Sequence, residues 1–132
     1  MKKEIISFPH LGDYSVPITY FLTHTTPHEI RPAPKITKQT LELGSKYSPD
    51  YVCIPFKYNL GNFIESLENG ATILLQAGGG CRYGYYAEVQ EKILKDLGYD
   101  FQFYSLVDSD HFTVSHMFQT FRKLNPHLPF LK

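Results

Sequence analysis

The chain has 132 residues, 42% of them hydrophobic, which is the length and apolar content of one domain with its own core. Lys and Arg number 13 and Asp and Glu number 13, so no net field recruits nucleic acid or anionic lipid. No apolar run reaches membrane-spanning length, and Pro9 and His10 interrupt the start too early for a secretion signal, so a cytoplasmic chain is expected.

Ile5-Ile6-Ser7-Phe8 reads as a first strand and residues 9–13 as a loop. A helix follows over about residues 14–23, with Pro17 in its first turn, where a proline is tolerated. Residues 29–31 are a short second strand, stopped by Pro32 and Pro34. Thr37 is the expected N-cap of a helix over residues 38–47, ended by Ser48-Pro49. Residues 50–54 are expected as the next strand. Leu60, Phe63, Ile64 and Leu67 fall at i, i+3, i+4 and i+7, one face of a helix that Asn69-Gly70 closes. Residues 72–75 read as a buried strand. Tyr86, Val89, Ile93 and Leu97 mark a helix capped by Gly98. Residues 99–106 are a last strand and about residues 111–124 a last helix. Strands alternating with helices predict an α/β domain with a mostly parallel sheet over residues 1–124. Residues 125–132, with Pro126 and Pro129, cannot form a regular element. They are expected to be a truncated end or a tail that docks on a partner.

In an open parallel sheet, ligands bind beyond the carboxyl ends of the strands. Three segments place useful chemistry there on this reading: His10 and Asp13 after the first strand, Cys53 and Lys57 after residues 50–54, and Gly78-Gly79-Gly80-Cys81-Arg82 after residues 72–75. The glycines bring bare backbone N–H groups close to whatever sits there. Four readings stay open. The glycines can serve a tight turn while Cys53 and Cys81, the only two cysteines, fill core space. The thiolates can ligate a metal or an iron–sulfur cluster, with Arg82 balancing the charge. Gly78, Gly79 and Gly80 can form a nest for a phosphate clamped by Arg82, without a P-loop ending or a dinucleotide fingerprint. Either cysteine can act as a nucleophile beside His10. A zinc site from Cys53, Cys81 and His10 is chemically allowed but lacks closely paired ligand spacing.

Several segments then occur in one order: Phe8-Pro9-His10-Leu11-Gly12-Asp13-Tyr14; Lys35-Ile36-Thr37 through Leu41-Glu42-Leu43-Gly44-Ser45-Lys46-Tyr47-Ser48-Pro49; Cys53-Ile54-Pro55-Phe56-Lys57 with Asn59-Leu60-Gly61-Asn62; and Gly79-Gly80-Cys81-Arg82-Tyr83-Gly84-Tyr85-Tyr86 with Glu88-Val89-Gln90. Over about residues 5–106 the chain resembles the acyl-CoA dehydratase activase-related proteins. These are grouped with the 2-hydroxyacyl-CoA dehydratase and benzoyl-CoA reductase subunits. The resemblance implies a three-layer, Rossmann-like α/β lobe with helices on both faces of the sheet, taken from an iron–sulfur protein. In such dehydratases an ATP-driven activator delivers one low-potential electron to a 4Fe-4S cluster beside the acyl-CoA site. Cys53 and Cys81 fall on family cysteine positions and are the implied cluster ligands. Gly78, Gly79, Gly80, Arg82 and Lys57 are the expected cofactor-binding residues. A 4Fe-4S cluster takes more protein ligands than two. The resemblance therefore implies a second lobe or subunit that supplies the rest, together with an ATP-dependent activator protein and an acyl-CoA ligand. A single lobe of this kind is not expected to complete the reaction alone. The other expectation is a non-catalytic assembly module whose glycine-rich loop holds a phosphate-bearing ligand.

Overall fold

A computed structural model describes residues 3–78, 86–107 and 113–128. The chain runs β1 (Ile5–Ser7), α1 (Ser15–Thr25), β2 (Glu29–Ile30), α2 (Lys38–Tyr47), α3 (Ile54–Glu68), β3 (Ile73–Gly78), α4 (Tyr86–Asp96), β4 (Gln102–Val107) and α5 (Val114–Leu124). A single 3-10 turn, Gly12–Tyr14, leads into α1. The four strands form one sheet in the order β2-β1-β3-β4, every neighbouring pair parallel. The expected three-layer, Rossmann-like α/β architecture is therefore present.

Alternation along the strands divides the core between two faces. Leu74 points to one face, where it meets Phe56, Leu60, Phe63 and Ile64 of α3 and Leu94 of α4. Its neighbours Ile73 and Leu75 point to the other, where they meet Ile6, Phe8, Leu22 of α1 and Leu124 of α5. Helix α2 stacks on α3 and adds Leu43 and Tyr47 to the rim of the first core.

The helix ends follow local chemistry. Thr37 caps α2: its hydroxyl accepts from the Thr40 N–H at 3.3 Å, and the Thr40 hydroxyl accepts from the Thr37 N–H at 3.0 Å. Thr113 caps α5 by accepting from the His116 N–H at 3.2 Å. Helix α3 ends where Gly70 takes φ +96°, a left-handed conformation that costs glycine little.

One element departs from the sequence expectation. Residues 50–54 are not a strand. The chain turns at Pro49, whose carbonyl accepts from the Val52 N–H at 3.4 Å, and α3 begins at Ile54. Pro55 is the second residue of α3, where its missing N–H has no intrahelical partner to lose. The helix thus starts well before the periodic face marked by Leu60, and it buries Phe56 a turn earlier.

One histidine, His28, is part of the core rather than the surface. It is buried, its Nδ1 accepts the Glu4 N–H at 3.2 Å, and its Nε2 therefore carries the proton directed at the Leu124 carbonyl at 3.1 Å.

At the amino edge of the sheet the Tyr99 hydroxyl donates to the Glu68 carboxylate, which pushes the Tyr99 pKa up from 10.0 to about 12. Because the folded value lies above the unfolded one, this contact stabilises fully below pH 10 and is lost as pH rises from there toward 12. An ultraviolet titration of tyrosinate absorbance should show a component near 12 that Glu68→Ala moves back toward 10. An unchanged titration curve in Glu68→Ala would refute the assignment.

Candidate functional site

The strand order places a fork between β1 and β3. The connection from β1 leads outward to β2, and the chain then crosses back to add β3 on the other side of β1. Ligand crevices in open parallel sheets lie at such forks, beyond the carboxyl ends of the strands. Two segments leave the fork: Phe8-Pro9-His10 after β1, and the glycine-rich run after β3.

A third segment reaches the same edge by another route. Only residues 69–72 separate α3 from β3, so α3 runs back along the sheet and its first turn stands near the end of β3. A chain of buried amides fixes that placement. Gln76 of β3 donates to Gln90 of α4 at 2.8 Å, and Gln90 donates to the carbonyl of Phe56 in the first turn of α3 at 3.4 Å. The Gln76 side-chain oxygen accepts the N–H of Ala77 at 3.0 Å, at the last turn of the strand before the glycines.

Asn62, fully buried on α3, ties the two remaining loops down. Its oxygen accepts the His10 N–H at 3.0 Å and its nitrogen donates to the Pro34 carbonyl at 3.2 Å. Below it, the Ser7 hydroxyl donates to the Ser66 hydroxyl at 2.8 Å. The edge is thus held by polar groups that are satisfied inside the protein, which is what makes buried polar contacts specific rather than costly.

Cys53 occupies the N-cap position of α3. It is exposed, its thiol is free, and it makes no side-chain capping bond. It is therefore not a core-filling thiol. It stands at the amino end of the helix, on the side from which the helix dipole's positive pole faces solvent. Lys57 lies one turn along the same helix, its N–H directed at the Cys53 carbonyl at 3.3 Å. His10 meets the site through its backbone, and Asp13 lies exposed in the 3-10 turn. Leu11, Tyr14, Tyr51 and Ile54 are all exposed along this edge.

The remaining expected site residues, Gly79, Gly80, Cys81 and Arg82, lie outside the described residues, as do Tyr83 and Tyr85, and Gly78 is described only as the last residue of β3. Among the described residues no group of three or more His, Cys, Asp or Glu is arranged to hold a metal ion. A ligand set that includes Cys53 consequently needs donors from beyond them. Cys53 fits such a set, since it is an exposed thiol outside any disulfide and makes no capping bond.

The polar bracing by Asn62, Gln76 and Gln90 was not foreseen as part of the site. A readable signal existed for Gln90, which is in phase with Ala87 and Leu94 on the buried face of α4. An amide on an otherwise apolar helix face implies a buried partner.

Fold and edge together define the class: a three-layer, Rossmann-like α/β domain with an exposed thiol at the carboxyl edge of its parallel sheet. No helix among the described residues is long and apolar enough to cross a membrane. Comparison with known protein families, with curated proteins and with solved structures finds no match to the chain.

Proposed function

We propose that this domain contributes Cys53, with Cys81, to a 4Fe-4S cluster at the fork between β1 and β3, and that it acts in the cytoplasm in low-potential electron transfer to, or dehydration of, an acyl-CoA substrate. The observation that carries the reading is the position of Cys53. Its thiol is exposed and uncapped at the N-terminus of α3, on the edge where the glycine-rich segment leaves β3. The resemblance of the chain to the dehydratase activase-related proteins supplies the cluster type and the substrate class. Two thiols leave coordination positions open, so a second lobe or subunit completes the set and an ATP-dependent activator donates the electron. The exposed Leu11, Tyr14, Tyr51 and Ile54 offer such a partner apolar surface in the segments that flank the site. When bound, the cluster supplies a one-electron reductant. The chain's own part is to hold the Cys53 sulfur at a helix N-terminus and to keep the loop after β1 and the link after β2 fixed through Asn62.

Anaerobic reconstitution of the unaltered chain with iron and sulfide tests this. The expected product is brown, with broad visible absorbance and bound iron and sulfide in comparable amounts, and both Cys53→Ala and Cys81→Ala abolish loading. Colourless, iron-free protein after reconstitution, or full loading of Cys53→Ala, would overturn it.

A further inference from the structure

A second feature stands apart from the Cys53 edge and does not depend on its reading. Between α2, the C-terminal half of α3 and the turn after α4 lies a cleft of about 470 Å³. Leu43, Ile64 and Leu97 supply apolar wall, Tyr47 a ring, and Glu65 and Glu68 two carboxylates. Glu65 is twelve residues along from Cys53, roughly 18 Å on one helix axis.

The two carboxylates are in different states. Glu68 accepts the Tyr99 hydroxyl. Glu65 has its Oε1 buried with no hydrogen-bond partner among the described residues. No Lys, Arg or His lines the cleft among the described residues. A carboxylate oxygen withdrawn from water without a partner is destabilising, and a surface helix offers a glutamate the alternative of full solvation. The partner that Glu65 lacks is a strong donor, best a cation, and the aliphatic wall beside it suits a hydrocarbon stem.

We propose that this cleft binds a primary ammonium group on a short alkyl chain, with the Glu65 carboxylate as its counter-ion and the alkyl chain along Leu43, Ile64 and Leu97. Such a group comes either from a small free amine or from a lysine side chain of another protein.

The test uses the whole chain, followed by NMR shifts of the Leu43, Ile64 and Leu97 methyl groups and by thermal unfolding. The probes are n-butylamine, its neutral counterpart n-butanol, and Nα-acetyl-lysine N-methylamide. Butylamine is expected to saturate these shifts and raise Tm. Butanol on the unaltered chain, and butylamine on Glu65→Gln, should each bind at least about ten-fold more weakly, the size of one charge-assisted hydrogen bond. Tighter binding of the lysine derivative than of butylamine assigns the site to a partner's lysine, and equal or weaker binding assigns it to a free amine. Absence of saturable methyl shifts with butylamine, equal binding of butanol, or undiminished binding to Glu65→Gln each overturns the proposal.

Discussion

Gly44→Ala is expected to cost at least about 3 kcal/mol, a large share of the roughly 5–15 kcal/mol that holds a domain folded. The reason is contact with backbone. A Cβ at Gly44 would stand 1.6 Å from the carbonyl oxygen of Lys57, and one at Gly61 would stand 2.1 Å from the carbonyl oxygen of Thr40. Neither obstacle can swing aside as a side chain could, so α2 and α3 would have to separate along their shared surface. Thr40, Leu60 and Phe63 are fully buried beside that contact and would lose packing together. Gly12→Ala is the control. Gly12 has φ +59° with nothing within 4 Å of a new Cβ, so only backbone strain of about 1 kcal/mol is expected there. Urea unfolding of the three variants checks the order. Gly44→Ala or Gly61→Ala with a midpoint no lower than that of Gly12→Ala would refute the close packing of α2 on α3.

Asn62→Leu is expected to destabilise by about 1–3 kcal/mol although the two side chains have the same number and branching of non-hydrogen atoms. The substitution removes an acceptor for the His10 N–H and a donor to the Pro34 carbonyl, both in a site where Asn62 is fully buried. His10 is half-buried and Pro34 exposed, so both groups regain some water and the loss is nearer the net worth of two hydrogen bonds, about 0.5–1.5 kcal/mol each. The effect is also local, because these two bonds tether the loop after β1 and the link after β2 to α3. Amide hydrogen exchange at His10 should accelerate in Asn62→Leu more than exchange in α4 does. A loss below about 0.5 kcal/mol with the His10 amide still protected would show that the loops hold themselves.

The same residues show where local information runs out. The bounds of α2, residues 38–47, match those read from Thr37 and Ser48-Pro49, because a cap and a stop act within one turn of the chain. Strand β1 and the end of α3 at Asn69-Gly70 were legible for the same reason. Residues 50–54 misled because Tyr51-Val52-Cys53-Ile54 is a short apolar run with β-branched members, a pattern that strands and buried helix starts share. What decides between them is the burial of Phe56 and Leu60 against the sheet, together with Pro55 in a first turn that tolerates it.

Alternation of apolar periods and the local caps determined the α/β class, whereas Cys53 was read as following a strand that does not exist and stands instead at the N-cap of α3. Those signals need only neighbours within a few residues. The exposure of Cys53, the glycine contact between α2 and α3, the orphaned oxygen of Glu65 and the bracing of the edge by Asn62 were decided by tertiary structure alone. The Asn62 bonds span 52 and 28 residues, and a polar side chain shows its partner only after the chain has brought the two together.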